Sequence, residues 1–312
     1  MTMSQTIRVF APATVANVGP GFDVLGFAID APGDEVIVRR TNEPGVRIVD
    51  ITGDGGRLPR EADRNTVTVP ILQYLQEHPV DGGFEVTLHK QMPLGSGLGS
   101  SAASAVAGVF AVNVMLGSPV DRAQLLVYAL EGERVACGAA HADNAAACLY
   151  GGFTLVRSND PPDIVPLQPA CELFASVVHP HIEIRTEDSR RIMRSYVTLA
   201  KAVVQWGNVA GLVAGILQGD TALIARSMHD VLVEPIRGVL IPGFDAVKHA
   251  AIDAGALGCS ISGSGPSIFA LSADAGTAER VASSMQQRFR QIGLDSDVFV
   301  SGINRVGPKI LD

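Results

Sequence analysis

Pro93–Ser104, PLGSGLGSSAAS, sets three glycines on alternate positions just ahead of two serines and an alanine run. The residues before it, Phe84–Lys90 (FEVTLHK), alternate apolar and polar side chains, which predicts a half-buried strand. From Ser100 onward SAASAVAGVFAVNVML is rich in helix formers and stops before Gly117 and Pro119. The glycines therefore lie between a strand and a helix start. Glycine lets a ligand approach the main chain, and a helix start offers unpaired N–H groups with the positive end of the dipole. Together they predict an anion site. A side chain at Gly97 or Gly99 is expected to fill the space through which phosphates reach those amides.

Other glycine loops are excluded by spacing. The segment lacks the lysine of GxxxxGK[ST], and its third glycine comes too soon for the GxGxxG of dinucleotide binders. Ser100 and Ser101 have no GxSxG setting, which argues against a hydrolase nucleophile. From the loop alone, a plain structural turn remains open.

The 312 residues are 47% apolar and 18% charged, enough for one large or two medium domains with cores and too little charge for extensive disorder. A net charge of −8 argues against a general nucleic-acid surface, and 5% aromatics leave little for base stacking. Cys137, Cys148, Cys171 and Cys259 show no CxxC pairing and sit among Ala, Gly and Leu, as reduced structural thiols do. The opening MTMSQTIRVFAPATV has no signal-peptide pattern, and no apolar run approaches the roughly 20 residues of a membrane span. The expectation is a soluble cytoplasmic protein with no membrane partner.

Further strands are expected at TIRVFAPATV, DEVIVRR, GFTLVR, LFASVVHP, SIFALS and DVFVSG. Helices are expected at NTVTVPILQYLQ, AQLLVYALEGERVA, VAGLVAGILQ, FDAVKHAAIDAG and AERVASSMQQRFRQIG. Strands and helices mingle throughout, which gives an α/β or α+β class. The proline-rich RSNDPPDIVPLQP (Arg157–Pro169) is the candidate domain junction, dividing the chain at 1–165 and 166–312.

PLGSGLGSSAAS resembles the second motif of the GHMP kinases, the superfamily of galactokinase, homoserine kinase, mevalonate kinase and phosphomevalonate kinase. APATVANVGPGFDVLGFAI is similar to their first motif in the form that homoserine kinases carry, and GCSISGSGPSIFAL to their third. HADNAAACLYGG and EPIRGVLIPGF match between them, so five segments follow in family order from Ala11 to about Leu271. The resemblance implies an α+β fold of two domains: an N-terminal α/β nucleotide-binding domain with a left-handed βαβ crossover, and a C-terminal ferredoxin-like domain. It implies ATP-dependent phosphorylation of the side-chain hydroxyl of L-homoserine, a step of threonine biosynthesis. ATP and Mg²⁺ are the cofactors. A homodimer is consistent with the family, although no interface is legible.

The resemblance also implies roles for individual residues. Pro93, Leu94, Gly95, Ser96, Gly97, Leu98, Gly99, Ser100, Ser101, Ala102 and Ala103 would hold the ATP phosphates, and Asn65 would read the adenine. Glu133 and Ser101 would hold the metal, which keeps several waters and needs few protein ligands. Thr186 and Asn144 would stand near the transferred group. Arg190 and Arg237 would take the homoserine carboxylate and Asp23 its ammonium, with Asn17, His141, Asn144 and Gly263 lining the same end.

Plainer readings stand beside these. Glu131 rivals Glu133, and either could be a solvated helix residue. Asn17 and Asp23 could shape a turn around GPG. Arg191 and Arg194 leave the register of Arg190 open, and His141 could be a core histidine. The chain departs from the family at Ala145–Ala147, where Val-Ala-Pro is common, and at Ser189 before Arg190, with no Leu-Pro following. No residue is assigned as base, since a loose phosphoryl transition state needs little prior deprotonation. The alternatives are a GHMP kinase for another small alcohol, such as shikimate or mevalonate, and a non-catalytic ligand-binding relative.

Overall fold

A computed structural model describes residues 6–138 and 141–311, although nothing is described for the side chains of 136 and 137, so the reading of Cys137 lies outside it. In chain order the elements are β1 (Thr6–Ala16), β2 (Leu25–Thr41), β3 (Gly45–Thr52), α1 (Val69–Glu77), β4 (Gly83–His89), α2 (Ser100–Met115), α3 (Arg122–Cys137), α4 (Ala142–Tyr150), β5 (Phe153–Asn159), β6 (Pro162–Leu167) and β7 (Phe174–Pro180). Then come α5 (Thr186–Arg191), α6 (Leu199–Gln218), α7 (Thr221–Ser227), α8 (Glu234–Arg237), α9 (Phe244–Asp253), β8 (Gly258–Ile261), β9 (Ile268–Ser272), α10 (Ala275–Gln291), β10 (Ser296–Gly302) and β11 (Lys309–Leu311).

The first sheet runs β11-β1-β2-β4-β3, with β5 on β2 and β6 on β5. β3 and β4 are parallel and joined through α1, which is the βαβ unit. β4 is more enclosed than its alternation implies: Glu85, on its polar side, is only 5% exposed because Arg39 and Arg47 close over it as ion pairs. α2 is buried almost all round, as its unbroken apolar composition requires.

The second sheet is four-stranded in the order β10-β7-β9-β8. Counted along the chain these strands lie 4-1-3-2, with α9 between the first pair and α10 between the second, which is the ferredoxin-like arrangement. The two sheets are fused through a common core. Phe269 of β9 stacks edge-on to Phe27 of β2, centroids 5.7 Å apart, and Phe27 packs on Phe153 of β5 at 4.8 Å. β11 returns to pair with β1, and Ile303 bridges to Ile29.

Two readings change. The Arg157–Pro169 segment contains most of the β5–β6 hairpin, because its apolar residues Ile164 and Leu167 pack against the first core. The passage to the second sheet follows it. The expectation that no segment is long and apolar enough for a membrane also fails: α6 meets that test by length and composition, with only 22% of its apolar window buried. Scattered Lys201, Gln205 and Asn208 interrupt its apolar run and hide it from a search for unbroken stretches.

Candidate active site

A cavity of about 580 Å³ opens where the glycine loop, the start of α2 and the segments after β1, β7 and β8 converge. Its nucleotide end is built by the loop. Gly95, Gly97 and Gly99 all adopt positive φ, near +67°, +78° and +67°. These turns let the chain enter α2 abruptly, and the first intrahelical bond runs from Ala103 N–H to Gly99 O at 2.9 Å. The amides of Ser100, Ser101 and Ala102 therefore lie outside the helix ladder, in the position that favours an anion.

The base of the loop is held by a buried pair that the sequence did not single out. Lys90 contacts the Asp34 carboxylate and donates at 2.8 Å to both Ser100 O and Ser104 Oγ. Asp34 in turn accepts from Ser100 Oγ at 2.9 Å and from the amides of Gln91 and Met92. An ammonium thus sits beneath the glycine loop, although the loop itself lacks the lysine of the common phosphate loop. Lys90 also lines the cavity.

Glu133 on α3 reaches the same end and is only 5% exposed. Burial pushes its carboxyl up to about 7, against the opposing pull of the Ser101 hydroxyl and the Lys90 charge. Its Oε1 and the Ser96 Oγ are buried with no hydrogen-bond partner. Desolvated acceptors without donors are costly unless a ligand meets them. A carboxylate oxygen of this kind beside a serine hydroxyl fits a hard divalent cation that takes its remaining ligands from phosphates and water. Among the described residues no three His, Cys, Asp or Glu side chains cluster as a metal site, so any cation here would depend on phosphate. The rival Glu131 instead pairs with Arg134 at the surface.

The opposite end is rich in charge. Arg190 on α5 grips Asp23 with both terminal nitrogens, at 2.7 and 3.2 Å. Arg237 on α8 is 3% exposed, and its pKa is lowered to about 10 by burial and by the like charge of Arg190. Both guanidinium carbons face the ring of Phe22, at 5.5 Å for Arg190 and 4.9 Å for Arg237. Nothing in the sequence marks Phe22 beyond its place in GPGFD. His141 lies 3.8 Å from Asp23, and its pKa is lowered because burial outweighs that carboxylate. Asp143 is buried beside it and pushed up to about 7, chiefly by burial and then by Asp23.

Several named residues line the cavity but spend their polar atoms on structure. Asn17 (φ +72°) donates to Gly263 O at 2.7 Å and accepts from the Asp23 amide at 3.1 Å, so it shapes the turn that presents Asp23. Gly263 N–H bonds to Ala16 O at 3.1 Å, and its carbonyl also accepts from Arg237 at 3.2 Å. Asn65 bonds at one end to Pro59 O (2.6 Å) and at the other to Val67 N (3.0 Å). Asn144 accepts from Thr14 Oγ1 at 2.7 Å, and Thr186 from α5 meets Ser264 Oγ at 3.3 Å. Leu98, Ala102 and Ala103 are wholly buried, so only their backbone can serve a ligand; they and Pro93 are absent from the cavity wall.

The glycine expectation needs correction. A Cβ on Gly97 would stand 2.4 Å from Ser262 O, and one on Gly99 would stand 2.0 Å from Thr14 Oγ1. Those glycines allow the loop to pack against its own protein, so a side chain there strikes neighbouring segments before it strikes phosphate.

A fold of this kind, with an anion-ready loop facing a paired-charge pocket, defines a GHMP kinase. The model of the GHMP kinases N terminal domain matches residues 65–152, and that of the GHMP kinases C terminal matches 212–291. A homoserine kinase of Chloroherpeton thalassium is 50% identical over 98% of this chain and 100% of its own length. One from Xylella fastidiosa is 40% identical over 97% and 94%. The crystal structure of homoserine kinase from Cytophaga hutchinsonii superposes with a TM-score of 0.97 at 58% identity, covering 100% of this chain and 99% of that one. The chain belongs to the homoserine kinase family. A mevalonate kinase from L. major, 17% identical with a TM-score of 0.72, shares the fold.

Proposed function

We infer that the chain transfers the γ-phosphoryl group of ATP to the side-chain hydroxyl of L-homoserine, giving O-phospho-L-homoserine and ADP. The observation that carries this reading is one cavity with two chemically distinct ends: helix-start amides and the unpartnered Oε1 of Glu133 at one, Asp23 with Arg190 and Arg237 at the other. Homoserine is a zwitterion, and it can replace the internal pair with its own charges, ammonium on Asp23 and carboxylate on the arginines.

ATP phosphates would rest on the amides of Ser100–Ala102, with Ser101 and Glu133 holding Mg²⁺. When bound, that ion neutralises the phosphates and orients the γ-phosphoryl group. The homoserine oxygen forms a bond to γ-phosphorus as the bond to the bridging oxygen of ADP breaks. Asp143, neutral or charged near pH 7, is chemically suited to accept the hydroxyl proton. His141, held neutral, would act as a hydrogen-bonding partner. The nucleotide end draws on residues 1–165, and residues 166–312 contribute Thr186, Arg190 and Arg237. The free, largely buried Cys148, Cys171 and Cys259 suit the reducing cytoplasm.

The test is ATP consumption with homoserine, shikimate, mevalonate and 4-hydroxybutyrate offered separately, with the phosphorylated product identified by ³¹P NMR. Homoserine should exceed the others in kcat/KM. Preference for mevalonate or shikimate would overturn the reading, and no turnover with any alcohol would favour a ligand-binding relative.

A further inference from the structure

Of the residues that α6 buries, Leu212 and Ile216 join the apolar core, but Gln205, in the first half of the helix, is polar. A buried side-chain amide needs partners for its donors and its acceptor. Those of Gln205 come from two separate segments. Its Nε2 donates at 2.8 Å to both Pro20 O and Asp230 Oδ1, and its Oε1 accepts from the Val231 amide at 2.9 Å. Pro20 lies in the loop between β1 and β2 that presents Phe22 and Asp23. Asp230, only 4% exposed, accepts from the amides of Leu232, Val233 and Glu234 at 2.8, 3.0 and 2.9 Å. It thereby fixes the entry into α8, which carries Arg237.

The same two segments also meet on the cavity side. The Phe22 ring lies 4.9 Å from the Arg237 guanidinium carbon, and Gly263 O accepts from Asn17 at 2.7 Å and from Arg237 at 3.2 Å. Gln205 joins them from behind. None of Gln205, Pro20 and Asp230 lines the cavity, so Gln205 acts through the groups that do.

We propose that Gln205 is a positioning residue for the amino-acid end of the cavity, setting the spacing of Asp23 and Arg237 through Pro20 and Asp230. The proposal rests on the reading of those two residues as partners of the homoserine ammonium and carboxylate. Both groups of an α-amino acid hang on one carbon, so their separation is covalently fixed. A site for them tolerates little change in the distance between its own charges. Without the Nε2 donors, Asp230 still holds the start of α8 and Asn17 still holds the loop. The fold survives, and only the placement of one segment against the other is freed.

Gln205→Met keeps the length of the side chain and removes both donors. It should lower kcat/KM for homoserine roughly thirtyfold, mostly through KM, and leave the ATP KM within about twofold of the parent. Gln205→Glu keeps the acceptor for Val231, loses the donors and should behave alike. Asn208→Ala removes a bond from the next turn of α6 to His229 O and should change neither KM. In an Asp23→Asn background, Gln205→Met should cost only about threefold, because the displaced loop no longer carries a carboxylate to misplace. Circular dichroism checks the fold of each variant.

An unmoved homoserine KM, equal rises for homoserine and ATP, the full loss in the Asp23→Asn background, or a matching loss from Asn208→Ala overturns the proposal. So does failure of both Gln205 variants to fold, which would make the amide a support of the whole domain. A crystal structure of Gln205→Met reads the spacing without substrate: Pro20 and Asp230 should stand further apart than in the parent, and an unchanged loop and α8 overturn the positioning role. A parent enzyme that leaves homoserine unphosphorylated overturns the functional reading instead, and the crystal comparison then decides the positioning role by itself.

Discussion

Arg190 and Asp23 face each other across the cavity with two hydrogen bonds, at 2.7 and 3.2 Å, while each remains a quarter to a third exposed. The pair supplies in advance both charges that a zwitterionic amino acid must satisfy. Partial exposure screens it, so the cost of opening the pair is small. Substituting one member leaves the other to face a ligand of mismatched charge.

Asp23→Asn is expected to lower kcat/KM for homoserine by roughly thirtyfold, about 2 kcal/mol, the low end for stranding a charged partner. The ATP KM should stay near normal. 4-Hydroxybutyrate, which lacks the ammonium, should suffer less from the same change. Steady-state kinetics with both substrates decide; an unchanged ratio places the ammonium elsewhere.

Phe22→Leu should raise the homoserine KM about tenfold and leave the ATP KM unaltered. The ring lies within 5.5 Å of both guanidinium carbons and offsets part of their mutual repulsion. Each such contact contributes about 0.5–1 kcal/mol, more when desolvated. Phe22→Tyr keeps the ring and should restore the parent KM. Equal losses for both substrates would show a general packing defect instead.

Glu133→Gln should reduce turnover by several orders of magnitude at ordinary magnesium and fold as well as the parent, since the amide is neutral like the buried acid. With Glu133 near pKa 7, Mg·ATP binding should also release protons at pH 6.5, read by calorimetry in buffers of different ionisation enthalpy. Normal rates across a magnesium titration would remove Glu133 from the metal site.

Asp143 gives a pH signature. Its folded pKa of about 7 lies above the 3.8 of an aspartate free in water, so the folded state holds the proton more tightly. The contribution to stability is full below pH 3.8 and is lost progressively as pH rises to about 7. The loss is about 4 kcal/mol at most. Asp143→Asn should therefore match the parent near pH 4 and melt at a higher temperature at pH 8. Melting curves that stay parallel across this range would mean the carboxyl is ionised throughout.

Much of this site was legible because its motifs are local. Alternation in Phe84–Lys90 and the alanine-rich run after Ser100 mark the strand and helix that frame the loop. β3 and β6 went unread since few of their residues are buried, and α4 because Ala142–Tyr150 has no capping side chain to announce it. Lys90 and Phe22 went unread for another reason. Each draws its importance from partners distant in sequence, Asp34 and the two arginines, and no local pattern records such a meeting.

The glycines separate two kinds of loop position. Gly97→Ala should melt well below the parent, because its Cβ would press on the carbonyls of Ser262 and Gly265 at 2.4 and 2.9 Å. Gly95→Ala meets only the flexible end of Glu183 at 3.0 Å, so its loss should be about 1 kcal/mol from the left-handed backbone. Thermal denaturation of both variants compares them; equal melting temperatures would return the glycines to a ligand-clearance role.

Gly263 joins what the cavity otherwise keeps apart. Its amide and carbonyl tie the segment after β1 to Arg237, and its neighbour Ser262 donates to Gly97 O at 2.7 Å, within the phosphate loop. The dipeptide Ser262–Gly263 is thus shared by the parts that meet nucleotide and the parts that meet the amino acid. Occupancy at either end that shifts this unit shifts the free energy of binding at the other. Reciprocity then requires equal coupling in both directions: whatever factor ATP imposes on homoserine affinity, homoserine imposes on ATP.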